Sequence, residues 1–290
     1  MCTGRNADAA FMVEAAAAAN RPAPAANWGP AAPRWAMAVI DLNADLGESF
    51  GNWSMGDDAA MLDVVTSANI ACGFHAGDPS AIRRTVQAAV ERDVVIGAHV
   101  GYPDLVGFGR RRMDVEPDDL LADVLYQLGA LDGMCRVAGT RLRYVKAHGA
   151  LYHRVNSDLV QARAFANAIV LYDSTLPILG ADGPLLAEAV SNGLRVVGEG
   201  FADRSYRDDG TLVPRSEPGA VHSDPQAVAV QAVALARREE IGSVCLHGDS
   251  PNAVSNAREV RTRLLREGFT VQSFVDPSTR RSSRPVEVVG

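Results

Sequence analysis

Short apolar, β-branched runs recur along the chain, each closed by glycine or another small residue, and the stretches between them carry apolar positions at helical spacing. The pattern predicts seven strands, at about 38–43, 67–72, 94–99, 142–147, 176–181, 194–199 and 243–248, with Val271–Val275 open as an eighth. Helix starts are marked by a capping residue followed by proline. Asp78-Pro79 opens a helix through Glu91, and Glu116-Pro117, Asp224-Pro225 and Ser250-Pro251 open others. After Glu116-Pro117, Leu120, Leu121, Val124, Leu125, Leu128 and Leu131 fall at helical spacing. Strand, turn and helix alternate throughout, which allows a closed barrel or a doubly wound sheet. The barrel is favoured because polar residues end almost every strand, not only those beside one switch point.

Those strand ends hold the candidate chemistry. His75, His99, His148 and His247, four of the six histidines, each follow an apolar run and precede a small residue. Parallel strands alternating with helices carry their C-terminal ends to one rim, and four imidazoles gathered there read as an active site rather than as packing. The first strand ends in Asp41-Leu-Asn43-Ala-Asp45-Leu-Gly47-Glu48, and alternation puts Asp41, Asn43 and Asp45 on one side. Such a trio suits metal binding, water positioning or general-base work; an Asx turn capping its own backbone is the plainer alternative. Lys146 is the chain's only lysine and stands two residues before His148. It suits a proton donor or a carbonyl-polarising charge better than arginine does, while a strand lysine paired with Asp or Glu is the competing reading.

Composition narrows the field. A chain of 290 residues with 47% hydrophobic content is long enough to bury a substantial core. The net charge of -7, without a basic block, argues against nucleic acid or an anionic membrane as partner. No apolar run approaches the roughly 20 residues that a membrane span needs. The four cysteines show no metal-binding spacing, and Cys72 and Cys245 fall in predicted strands as small apolar fillers, so a reducing cytoplasm is expected. Residues 1–37, rich in alanine and proline, are expected to be a disordered extension with Met37 as a candidate start of the fold, and 276–290 a disordered polar tail. The barrel domain is then 38–275.

Two loops stand out. Gly101–Arg110 is rich in turn residues; Gly107 and Gly109 permit close approach of backbone to a ligand, and Arg110 suits a carboxylate or phosphate. Glu199–Ser216 exceeds the usual strand-to-helix loop and is expected to be a lid or substrate loop. Neither GxxxxGK[ST] nor GxGxxG occurs, so nothing in the chain is recognisable as a site for ATP.

The blocks Asp41–Glu48, Ser67–Asp78, Phe108–Arg110, Val145–Tyr152, Phe201–Tyr206, Leu212–Ser216 and Cys245–Asp249 resemble the LamB/YcsF family, in the family's order, over about residues 38–275. Ala147 departs from the family's usual proline. The resemblance implies a seven-stranded β/α barrel of the glycoside hydrolase/deacetylase type. It also implies ATP-dependent opening of 5-oxo-L-proline to L-glutamate, together with 5-oxoprolinase subunits B and C, which would consume the ATP. On this reading Asp45 or His75 orients or deprotonates water, and Lys146 with His148 stabilises oxygen charge or protonates nitrogen. Asn43, His99, Arg110, Asp203, Arg204, Arg215 and His247 are the expected substrate contacts. No metal ligand is assigned, and a divalent metal stays open. Two rival readings follow from the residues: a stand-alone metal-dependent deacetylase or amide hydrolase, since a strand-end Asp with two His makes a plausible triad, and a non-catalytic subunit that presents substrate.

Overall fold

The computed structural model describes residues 38–249 and 252–275; the expectations for the two chain ends and for Ser250-Pro251 lie outside the described residues. In chain order the elements are β1 (Val39–Leu46), α1 (Asp58–Leu62), β2 (Ser67–Ala71), α2 (Pro79–Glu91), β3 (Val95–Val100), α3 (Pro117–Val137), β4 (Tyr144–Ala147) and α4 (Gly149–Val155). They continue with α5 (Leu159–Asp173), β5 (Ile178–Gly180), α6 (Pro184–Ser191), β6 (Val196–Phe201), α7 (Pro225–Ala236), β7 (Ser243–His247), α8 (Ala253–Arg266) and β8 (Thr270–Val271).

Strands β1 to β7 pair in sequence order, all parallel, and β1 also pairs with β7, so seven strands close a barrel wrapped by helices. The eighth strand is shorter than the sequence suggests. Its two residues lie beside Val39 and Ile40 at the start of β1. The Ala38, Ile40 and Leu42 carbonyls accept in turn from Thr270, Gln272 and Thr66, so β8 fills the flank of β1 beneath β2.

Proline-marked helix starts form as sequence chemistry dictates. The Asp78 carboxylate accepts from the Ser80 and Ala81 amides at the head of α2, and Asp224 from Ala227 at the head of α7. Helix α3 begins at Pro117 as well, but Glu116 makes no side-chain cap. Apolar residues of the helices and the outward faces of the strands, including Leu42, Ile70, Leu128, Phe165 and Val244, build the main core. A small separate apolar cluster is made by Tyr144, Leu179, Val197 and Val275. Many inward positions are polar, with Asp41, Asn43, Asp45, Ser67, Asn69, Lys146, Glu199 and Ser243 all buried. Burying so many polar groups is costly unless they bond to one another.

Candidate active site

Strand register assembles the centre before any side chain is considered. Asp45 sits opposite Asn69 of β2 and opposite His247 of β7, and His99 of β3 sits opposite Lys146 of β4. Register partners on parallel strands point the same way, so five distant segments place these side chains around one point.

Lys146 is the hub. Its Nζ lies 2.6 Å from Glu199 Oε1 and 3.1 Å from Asp45 Oδ1, with Cys245 Sγ at 3.2 Å. Burial opposes its charge, but Asp45, Cys245 and Glu199 together outweigh that cost and hold the ammonium well above the usual lysine range. Burial likewise opposes ionisation of Asp45, yet its interactions with His99 and Lys146 hold it well below the usual carboxylate range. Asp45 Oδ1 also accepts from Asn69 Nδ2 at 2.8 Å, and its Oδ2 lies 3.3 Å from His99 Nε2. The lysine is thus paired as the plainer reading supposes, but with two carboxylates at the barrel mouth. Cys245, expected as filler, touches the lysine directly.

Three histidines pack beside this pair. His148 Nδ1 is 2.9 Å from His99 Nε2, and His148 Nε2 lies 2.8 Å from the Phe108 carbonyl. His75 stacks on His148 with ring centroids 3.7 Å apart. Burial pushes both His75 and His148 well below the usual imidazole range and so keeps them neutral. Glu48 Oε1 lies 3.4 Å from His75 Nε2 and 3.8 Å from His148 Nδ1; burial, reinforced by Asp45, raises its carboxyl well above the usual range. These four residues offer ligand atoms all within 4.8 Å of one another.

A cavity of about 460 Å³ opens above the centre. Asp45, Glu48, His99, Lys146, His148 and His247 line its floor, and Arg110, Arg204 and Arg215 stand among its walls. Other expected contacts serve indirectly. Asn43 is buried below Asp45, where it donates to Ser243 Oγ, and His75 lies behind His148. Neither lines the cavity. Asp203 is also outside its lining and grips His247, 2.9 Å from Nδ1 and accepting from its backbone N–H. Arg204 donates to the Val213 and Ala220 carbonyls, tying its own loop into shape over the mouth. Arg110 and Arg215 lie 2.6 Å and 3.5 Å from Asp249. Gly109, expected to approach a ligand, instead approaches the histidines. A Cβ there would stand 2.7 Å from both His148 Cδ2 and His75 Cβ, and its φ of 65° is already in the left-handed region.

Glu48 and Glu199 were not singled out in the sequence. Glu199 had a signal: a charged residue closing an apolar strand, the same rule that found the histidines. Glu48 did not, because alternation assigns it to the face opposite Asp45. Gly47, at φ 73°, interrupts that alternation and lets Glu48 reach the histidines.

Fold and site together define a β/α-barrel protein with a buried acid–base centre at the C-terminal mouth. The chain belongs to the LamB/YcsF family, whose sequence model matches residues 40–279. It is 54% identical over 251 residues to the third of the 5-oxoprolinase A subunits of Pseudomonas syringae pv. tomato, covering 82% of this chain and 98% of that one. It is 53% identical over 251 residues to the 5-oxoprolinase A subunit of Mycobacterium leprae, covering 82% of this chain and 100% of that one. The crystal structure of the lactam utilization protein from Thermus thermophilus superposes with a TM-score of 0.76 at 42% identity, over 81% of this chain and 100% of that one.

Proposed function

We propose that this chain is the ring-opening A subunit of a 5-oxoprolinase, hydrolysing 5-oxo-L-proline to L-glutamate with energy from ATP. The observation that carries the reading is the buried Lys146–Asp45 pair forming the floor of a cavity with arginines in its walls. A small, acidic cyclic amide fits that chemistry, and the names of the relatives and of the Thermus structure support the same substrate class.

Opening a lactam needs a hydroxyl on the carbonyl carbon, balance for charge developing on oxygen, and a proton for the departing nitrogen. Asp45, held ionised at the cavity floor, orients the attacking water. Lys146, held protonated 3.1 Å away, stabilises the oxygen. His148, neutral and exposed to the cavity, takes up a proton and returns it to nitrogen, with His99 beside it as relay. His75 acts from behind His148 rather than on substrate. Arg110 and Arg215 meet the substrate carboxylate or a phosphate on the activated ring.

Subunits B and C would bind ATP and transfer its terminal phosphoryl group to the lactam oxygen, leaving ADP, with hydrolysis to glutamate releasing inorganic phosphate; this chain lacks a recognisable phosphate loop. Among the described residues no helix is long and apolar enough to cross a membrane. We assign the enzyme to the cytoplasm, where ATP is at hand and Cys72, Cys135 and Cys245 stay reduced. The test is co-expression with the products of neighbouring genes, followed by measurement of glutamate and ADP from 5-oxoproline. ATP-dependent glutamate release only with all components is expected. Release by this chain alone without ATP overturns the coupling.

A further inference from the structure

We propose that Glu48, His75, His99 and His148 form a divalent-metal site, for which zinc is the ion best suited to three imidazoles and one carboxylate. The spacing fits. Zinc bonds of about 2.0–2.1 Å at tetrahedral angles set ligand atoms about 3.3 Å apart. Here His148 Nδ1 and His99 Nε2 are 2.9 Å apart, Glu48 Oε1 and His75 Nε2 3.4 Å, and Glu48 Oε1 and His148 Nδ1 3.8 Å.

Unmet hydrogen bonding leads to the same cluster. Glu48 Oε1 and both ring nitrogens of His75 are buried without a hydrogen-bond partner, although buried polar atoms are normally satisfied. His75 has none of its surface exposed. His148 is oriented from outside the cluster: its Nε2 bonds the Phe108 carbonyl, which leaves the Nδ1 lone pair facing His99 and Glu48. Phe108 carries a left-handed backbone, φ 55°, a strained setting for a phenylalanine that serves to aim that carbonyl. Asp45 Oδ2, 3.3 Å from His99 Nε2, adds negative charge beside the ion.

The ring geometry makes a sharper statement. The His99 and His148 planes cross at 86°, so their lone pairs can converge on one point. The His75 and His148 rings are parallel within 8° at 3.7 Å, and two parallel planes share no point at which an ion can sit. Loading the site must therefore fan this stack open. Because Glu48, His99 and His148 also line the cavity, the ion would face substrate, where such an ion can lower the pKa of a bound water.

The inference deepens the lactam-opening reading and changes one role in it: with an ion bound, His148 and His99 are ligands and a water on the ion takes over the proton transfer. Its test needs no substrate, so the two can fail separately. Full-length chain stripped with chelator and reloaded with zinc or cobalt(II), then passed through gel filtration, is expected to retain about one ion per chain, with the visible spectrum of tetrahedral cobalt. His75→Ala, His148→Ala and Glu48→Gln should each weaken affinity by more than the ~10–100-fold that loss of an outer partner costs, while His222→Ala leaves it unchanged. Wild-type chain retaining less than about a tenth of an equivalent, or cluster variants binding as tightly as wild type, overturns the proposal. Should the variants fail to fold, anomalous diffraction from zinc-loaded wild-type crystals decides. A peak among the four side chains with the stack opened supports the site, and a peak elsewhere or none refutes it.

Discussion

The barrel interior holds two polar regions of equal burial and opposite character. Toward the N-terminal end, Asp41 accepts from Thr66 at 2.7 Å, from Ser67 at 2.6 Å and from Ser243. Asn69 donates to Asn43 at 2.7 Å and accepts from the Tyr144 hydroxyl at 2.6 Å. None of these side chains leaves a buried polar atom without a partner. At the mouth, Glu48, His75 and His99 do leave such atoms unmet. Residue type and depth do not separate framework from chemistry here; saturation does. A closed network fixes strand register, whereas an open one is built for something that arrives later.

The largest test of this contrast is Lys146→Ala. It strands Asp45 and Glu199 without their cation, a loss of about 3–5 kcal/mol, and should cut turnover at least ~100-fold. Urea unfolding and glutamate release measure the two effects; turnover within ~tenfold of wild type would break the assignment of the mouth to chemistry.

Next comes the lower region. Burial raises the Asp41 carboxyl from 3.8 to about 6, so the folded state holds a proton that the unfolded state has released. Stability from this residue is therefore fully present below about pH 4 and is lost as pH rises through about 6, a span of about 3 kcal/mol. Asp41→Asn should flatten this part of the pH–stability curve while turnover stays within ~threefold. An unchanged slope would show that the network is not carried by Asp41. The smallest expected effect is at the rim, where Arg215→Ala should raise KM about tenfold with little change in kcat, about 1.4 kcal/mol of binding. A change confined to kcat would move Arg215 from substrate holding to chemistry.

Much of this was legible in the chain because both signals are local. Apolar runs ended by histidine located the rim, and Asp78-Pro79 and Asp224-Pro225 marked the starts of α2 and α7. Alternation correctly put Asp41, Asn43 and Asp45 on one face, though it could not tell that Asp41 and Asn43 serve the saturated network and only Asp45 reaches the cavity. That division depends on depth along the barrel axis, which is set by partners some 200 residues away. Glu48 was hidden by the left-handed turn at Gly47, and the grip of Asp203 on His247 by the folding back of a long loop. The strand at Thr270–Val271 is too short to show a period of its own.

The placing of β1 has a consequence for biogenesis. Its flanks are claimed by β2, by β7 and by the late β8, and Asp41 meets Ser243 across 202 residues of sequence. During synthesis one edge of this first strand must wait, unzipped, until nearly the whole polypeptide has left the ribosome. Such long-range closure is slow, and the waiting edge is open to rescue by chaperones or capture by a neighbouring nascent chain.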